Sequence, residues 1–531
     1  ILDVNANPTM THEELKSIEG GILLLSGETV EQLMSKLANL SFEGPSFDED
    51  ASGRRLSVEL MQVSDFNKSD TYRMAIIATS WADYDKRVGL ALKAMEDSNK
   101  WGFLQSQGVM ITNEPILPSK AKIAHMYPGQ GSQYVGMTYD LNKRYTSVQK
   151  VWDKSDETMV EVLDGETLSS FVLRTNLSKQ ELIESEHKLK QTEYTQPAML
   201  TADLAIERLL NAHGQTPDMV AGHSLGEYAA LMSSGILNMD GALRASAARG
   251  TEMGSVQIDD KGLMASVTAP YEEVEKVLNS ADGYVIAANK NSPKMTVIAG
   301  ESEAVKGVMK SFETKGFSTT QLATSHAFHS RIVAPANEPL RRFLETLEIN
   351  WPQIPITANF DGEFYEMSGV DSKTAVLDKL APQMASSVEW TSQIEKMYDS
   401  GARVFIEVGP KRALTMFATQ ILEGKPHLPI MTNHPKQGGI ASFLGAMAGL
   451  YLAGRTLQWP SGTSEELSEA FRAGPIEAHS QVKHASKQSP NNDLNSRAKP
   501  LPTQSAAKSS VGVSATTVSY THLTLPTIVD V

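Results

Sequence analysis

Met219 to Ala230 reads MVAGHSLGEYAA, a short apolar run followed by Gly222-His223-Ser224-Leu225-Gly226 and then residues of helical pattern. Strand, sharp turn and helix in that order make a nucleophile elbow, with Ser224 on the turn and a glycine two residues to either side so that strand and helix backbones can approach closely. The hydroxyl is thereby presented at a helix N-terminus, where the amide of Leu225 can stabilise an oxyanion. Three fixed residues in five recur by accident in ordinary loops; the flanking strand and helix argue against accident here. The elbow alone leaves hydrolase and transferase equally open.

A serine hydroxyl is almost fully protonated at neutral pH, so it needs a base. His326 and His329, in Ser325-His326-Ala327-Phe328-His329-Ser330, are the candidates, because both leave a strand in one short turn. No Asp or Glu between Ser224 and these histidines stands out as the third member, and a backbone carbonyl can fill that place. Upstream, His125 to Met137 reads HMYPGQGSQYVGM, a strand ending in proline and a glycine-rich turn. No Gly-Lys-Ser/Thr follows, so this is no phosphate-binding P-loop; its functional reading is a second oxyanion donor, the amide of Gln130. Arg249 lies in a helical segment, Gly241 to Met253, that also holds Arg244. A surface arginine is the ordinary reading; turned into the cleft, its planar fork would suit a carboxylate, and the acyl group would then be negatively charged.

Outward from the elbow, Lys122 to about Gly454 alternates strand, turn and helix, the pattern of a parallel sheet flanked by helices. Inside it, Gly262 to Ser325 runs β-α-β-β-α-β, the order of a ferredoxin-like subdomain inserted at residues 262–325. Residues 1–120 form a small α/β unit, with strands at Gly21–Leu25 and Tyr72–Thr79, helices at Glu28–Leu40 and Tyr84–Met95, and a connection at Ile111–Ser119. The expected division is therefore 1–120, 121–455 and 456–531. The last segment is read as a flexible Ser/Ala/Pro-rich linker, and Ser519–Val531 as a cloning or sequencing scar.

Composition narrows the function. The 531 residues carry 48 Lys+Arg against 63 Asp+Glu, a net charge of −15, which argues against nucleic-acid binding through bulk charge. The chain has no cysteine, so disulfides, thiolate metal sites and a thiol nucleophile are excluded together. No signal peptide is visible, the start resembles that of a fragment, and Gly438–Gly454 is too short and glycine-rich for a membrane span and is read as a buried helix. A cytoplasmic location is expected, with no membrane or nucleic-acid partner.

Taken together, Gly129-Gln130-Gly131-Ser132-Gln133, Gly222-His223-Ser224-Leu225-Gly226-Glu227, Arg249, His326-Ala327-Phe328-His329 and Glu407-Val408-Gly409-Pro410 resemble the malonyl-CoA:acyl carrier protein transacylases in order and spacing over residues 122–455. Residues 20–120 resemble the linker domain between ketosynthase and acyltransferase in type I polyketide and polyunsaturated fatty acid synthases. The resemblance implies an α/β-hydrolase-like large subdomain with a ferredoxin-like small one. It makes Ser224 the nucleophile, His329 rather than His326 the base, Gln130 and Leu225 the oxyanion-hole amides, the backbone carbonyl of Gln383 the group that orients the histidine, and Arg249 the holder of a malonyl carboxylate. His326 and Phe328 would set selectivity, with bulky Phe328 favouring malonyl over methylmalonyl. Tyr127 and Met295 depart from the usual pattern, where Phe and Gln are common.

The implied reaction is ping-pong, from malonyl-CoA through a Ser224 ester to the phosphopantetheine thiol of an acyl carrier protein, with no permanently bound cofactor and no metal. Carrier and ketosynthase domains would lie elsewhere in the parent polypeptide, since a cysteine-free chain holds no active ketosynthase. Docking of an acidic carrier on a chain of this charge would need a local basic patch, for which Lys411 and Arg412 are candidates. Two rivals stand beside this reading: an editing acyl hydrolase, which would be expected to lose Arg249, and a non-catalytic docking scaffold.

Overall fold

The computed structural model describes residues 20–39, 70–79, 81–113, 117 and 121–458. The expected polar stretch Ser41–Ser57 and the tail from residue 459 onward lie outside the described residues.

The N-terminal unit is an antiparallel sheet of β1 (Gly21–Gly27), β2 (Tyr72–Ala78) and β3 (Val109–Thr112), in that spatial order. Its strands read as continuous apolar runs because both faces are covered. Leu23 and Leu25 meet Leu33, Leu37 and Ala91 from helices Val30–Asn39 and Trp81–Ala94 and Met95 just after the second, whereas Ile22, Leu24 and Ala75 join the core that holds Ile440 and Leu444 of helix Gly439–Leu452. β3 corrects the sequence reading: Ile111 and Thr112, expected in the connection, pair with Met74 and Arg73. Four residues are too few for periodicity to separate a strand from a loop.

The larger unit begins with β4 (Lys122–Tyr127) and β5 (Met219–Gly222), is interrupted by β6 (Leu263–Thr268), β7 (Val285–Ser292), β8 (Met295–Gly300) and β9 (Ser318–Gln321), and resumes with β10 (Ala402–Pro410) and β11 (Leu428–Asn433). β4, β5, β10 and β11 form a parallel sheet in the order β11-β10-β4-β5. The chain goes from β4 to one side and later returns on the other, so the carboxyl ends of β4, β5 and β10 surround a topological switch point, the place where open α/β sheets bind ligands. Beyond β5, extended residues 355–357 add a short edge through Val220 N to Pro355 O (2.9 Å) and Thr357 N to Val220 O (3.1 Å).

The four inserted strands form an antiparallel sheet in the order β7-β8-β6-β9, the ferredoxin-like arrangement, with Val274, Val277, Val305, Val308 and Phe312 of helices Tyr271–Asn279 and Ser302–Thr314 in its core. β7 joins this module to the large unit: Lys290 N donates to Val388 O (3.0 Å) and Val388 N to Ala288 O (2.8 Å). Residues 383–388 are thereby fixed between module and elbow. Helix Gly439–Leu452 is almost wholly buried, and among the described residues no helix is long and apolar enough to cross a membrane.

Candidate active site

The elbow closes because two side chains are missing. A Cβ on Gly222 would lie 2.0 Å from the Gly226 carbonyl, and one on Gly226 would lie 2.0 Å from Tyr127 O. Ser224 between them takes a left-handed backbone (φ 53°), a conformation that costs a non-glycine residue about 1–3 kcal/mol and persists where its surroundings enforce it. Enforcement comes from beneath: Ser224 N donates to Asn359 Oδ1 (2.8 Å), and Gln383 Nε2 donates to Ser224 O (2.7 Å).

His329, also left-handed (φ 56°), is anchored by its own amide on Met384 O (2.9 Å). Its Nε2 lies 2.6 Å from Ser224 Oγ, and its Nδ1 lies 3.2 Å from Gln383 O and 3.1 Å from Ser386 O. Carbonyl oxygens only accept, so Nδ1 carries the proton and Nε2 offers its lone pair to the serine hydroxyl. Burial pushes the imidazole pKa down to about 3, with the charges of Arg249 and His223 adding to the effect. The ring is therefore neutral at physiological pH and able to take a proton.

Arg249 is buried (1 % exposed), in contrast to exposed Arg244 five positions earlier on helix Met239–Ser255. Its Nη1 donates to Gln196 Oε1 (3.0 Å), and its Nη2 donates to Gln383 Oε1 (3.2 Å) and to Ser224 Oγ itself (3.1 Å). Among the described residues no carboxylate lies within 4.0 Å of the guanidinium, and its buried Nε has no hydrogen-bond partner. Burial lowers its pKa below the ordinary arginine value, while Tyr228 and Glu227 oppose that shift.

The Gly129–Ser132 turn lies directly against the elbow: a Cβ on Gly129 would sit 2.4 Å from His223 O and 3.5 Å from Leu225 N. In this turn Gly131 N donates to Gln133 Oε1 (2.6 Å) and Ser132 N to Gly129 O (3.3 Å). The Gln130 and Leu225 amides have no acceptor among the described residues, so two neighbouring donors remain for a ligand oxygen.

His326 is turned to the Val256 carbonyl (Nε2 to O, 3.1 Å) and Ser325 Oγ, while Phe328 is buried. Lys411 and Arg412 do not share one exposed surface: Lys411 is half-buried with Nζ on Gly131 O (2.9 Å), and only Arg412 is exposed. Among the described residues no cluster of three or more His, Asp or Glu side chains is placed to hold a metal ion.

Several supporting residues escaped sequence reasoning. Buried Glu227 accepts from Asn359 N (3.2 Å), Asn359 Nδ2 (2.6 Å), Tyr365 OH (2.7 Å) and Gln383 Nε2 (3.0 Å); burial raises its pKa to about 7 against those donors. Gln383 thus serves the site twice, its carbonyl toward His329 and its side chain linking Glu227, Ser224 and Arg249. His223 Nε2 lies 2.7 Å from Asn291 Oδ1 of β7, which connects the elbow to the inserted module. Polar residues inside apolar stretches, such as Asn359 in IPITANF, are the signal that could have marked them.

The acyl transferase domain family profile matches residues 124–455, more than half of the chain. The malonyl CoA-acyl carrier protein transacylase of Bacillus subtilis (strain 168) is 30% identical over 300 residues, covering 56% of this chain and 89% of that protein. A polyunsaturated fatty acid synthase polypeptide of Thraustochytrium sp. is 29% identical over 343 residues, covering 63% of this chain and only 12% of that much longer protein. Among solved structures, the acyltransferase domain from the second module of the salinomycin polyketide synthase superposes with TM-score 0.61 at 27% identity, covering 77% of this chain and 86% of that one. The malonyl CoA-acyl carrier protein transacylase of Clostridium perfringens gives 0.53 at 30%, covering 60% and 94%. Elbow, histidine and sheet thus sit in a chain that belongs to the acyl transferase domain family, and the protein is an acyltransferase.

Proposed function

We propose that this acyltransferase moves a malonyl group from malonyl-CoA to the phosphopantetheine thiol of an acyl carrier protein. The observation that carries this reading is Arg249, a buried cation with no carboxylate partner among the described residues and with Nη2 at 3.1 Å from the nucleophile. A desolvated guanidinium is costly alone and strongly favoured beside an anion, so an acyl group ending in a carboxylate suits it as no neutral acyl chain does.

In the first half-reaction Ser224 Oγ bonds to the thioester carbon as its proton passes to His329 Nε2. The oxyanion is received by the Gln130 and Leu225 amides. The intermediate then collapses, the carbon–sulfur bond breaks, and the coenzyme A sulfur leaves with the proton from His329. The second half-reaction repeats these steps in reverse with the carrier thiol as nucleophile. A bound malonyl carboxylate offsets the Arg249 charge that depresses His329, so the base strengthens when the correct acyl group is in place. Arg249 also separates transfer from hydrolysis, since it aligns the ester for the incoming thiol. Bulky Phe328 favours malonyl over methylmalonyl, an extra methyl in a tight pocket being worth about 1–3 kcal/mol. Carrier and ketosynthase domains of a parent polyketide or polyunsaturated fatty acid synthase are the proposed partners.

The test is intact mass after incubation with malonyl-CoA, methylmalonyl-CoA and acetyl-CoA, followed by addition of carrier protein. A malonyl ester that forms on the parent chain, is absent in Ser224→Ala and passes to the carrier supports the proposal. Rapid release of free malonate without transfer would replace it with a hydrolase.

A further inference from the structure

Lys411 directly follows Pro410, the last residue of β10, in a left-handed backbone (φ 67°) that a lysine adopts only under constraint. It is half-buried, and among the described residues no carboxylate lies within 4.0 Å of its ammonium. The charge is instead spent on a carbonyl, Gly131 O at 2.9 Å, across the switch point on the loop after β4. That carbonyl shares its peptide unit with Ser132 N, which donates to Gly129 O (3.3 Å), and the Gly129 carbonyl shares its own unit with the Gln130 amide. Hydrogen bonds in such a chain polarise one another, so a positive charge at one end makes the N–H at the other a better donor. The chain of bonds ends at Gln130 N, while the neighbouring Gly131 N is occupied by the side chain of Gln133.

We propose that Lys411 is a positioning residue for acyl transfer: its ammonium, clamped on the Gly131 carbonyl, holds and polarises the Gly129–Ser132 turn so that the Gln130 amide meets the oxyanion formed at Ser224. The proposal rests on the acyl-Ser224 reading above. It gives Lys411 a task in the transition state and removes it from the surface available to a docking carrier protein.

The experiment uses the full chain with Lys411→Met, Lys411→Arg and Lys411→Gly, the last relaxing the left-handed backbone. Acyl-enzyme formation from malonyl-CoA is followed by rapid quench and intact mass, and the carbonyl stretch of a ¹³C-labelled acyl-Ser224 by difference infrared spectroscopy. Loss of a whole oxyanion donor costs about 10²–10³-fold, so weakening one through its support should cost less. The expected result for Lys411→Met is an acylation rate constant lower by about tenfold, a KM for malonyl-CoA within about twofold of the parent, and a carbonyl stretch moved to higher wavenumber. Lys411→Arg should restore most of the rate, and Lys411→Gly should behave as Lys411→Met. Parent-like rate and stretch in Lys411→Met overturn the proposal, also where only the KM for carrier protein rises. So does a rate loss that arginine does not rescue, or one with an unshifted stretch. Absence of any ester on the parent chain, or an ester that persists in Ser224→Ala, is a failure of the Ser224 reading itself, seen before any Lys411 variant is made, and takes this proposal with it.

Discussion

Replacing Arg249 by glutamine should collapse discrimination between malonyl-CoA and acetyl-CoA. Both substrates lose the Nη2 hydrogen bond to Ser224 Oγ, but only malonyl loses a partner for its carboxylate, so the ratio of the two acylation constants isolates the charge pair. Removing one member of a buried, hydrogen-bonded pair costs about 3–5 kcal/mol, or roughly 10²–10⁴ in rate. The same variant should move the pH profile. Nη2 and Nε2 stand 3.1 and 2.6 Å from the same oxygen, which places the charges about 5 Å apart. At an effective dielectric constant near 20 that is about 3 kcal/mol, or about two pH units. With the positive charge gone His329 protonates more easily, so the acid limb of acetyl transfer should rise from near pH 3 by about two units. The assay is single-turnover acylation by rapid quench and intact mass, with brief pH jumps for the acid limb. A malonyl-to-acetyl ratio within about threefold of the parent's, or an acid limb that stays in place, would refute the assignment of Arg249.

Other outcomes follow from the same geometry. Gly222→Ala puts a methyl 2.0 Å from the Gly226 carbonyl and should cost more than about 4 kcal/mol; a urea midpoint close to the parent's would show that the elbow can relax. Glu407 is held up to about 7 by burial, against hydrogen bonds from Leu414 N and from Thr415 N and Oγ1. Its folded pKa stands above the ordinary 4.5, so its stabilising contribution is complete below 4.5 and is lost as pH rises through 7. Glu407→Gln should therefore remove about 3 kcal/mol of the pH dependence of unfolding between pH 5 and 8; an unchanged dependence in urea titrations at the two pH values would contradict this. Phe328→Ala should lower the malonyl-to-methylmalonyl ratio roughly 10–100-fold; competition followed by intact mass reads it directly, and an unchanged ratio would free Phe328 of any part in selectivity.

Local patterns were legible because local physics makes them. The elbow at Met219–Ala230 needs glycines where strand and helix cross, and the β-α-β-β-α-β order of residues 262–325 shows in its alternating periods; both appear in the fold as the sequence suggests. Strand β3 was missed because four apolar residues have no readable period. The network that joins Glu227, Asn359 and Gln196 through the side chain of Gln383, of which only the backbone carbonyl was expected at the site, was missed for another reason. Its members lie up to 187 positions apart, between Gln196 and Gln383 (383 − 196), and nothing in a local window tells a polar residue that will be buried from one that will face water. The two arginines of helix Met239–Ser255 make the same point, since Arg244 and Arg249 are alike in sequence and opposite in burial.

The sequence by itself determined which groups are available: one elbow serine, two histidines in a following turn, a glycine-rich loop and no thiol. Tertiary structure decided which of them act together. Packing of the inserted module against residues 383–388 brought His329 rather than His326 to Ser224, and supplied backbone carbonyls where no acid was found. Parallel pairing of β10 and β5 on either side of β4 brought Lys411 to Gly131 and the elbow to Gly129. Such contacts depend on distances between segments far apart in the chain, which hydrophobic burial and sheet hydrogen bonding set for the fold as a whole.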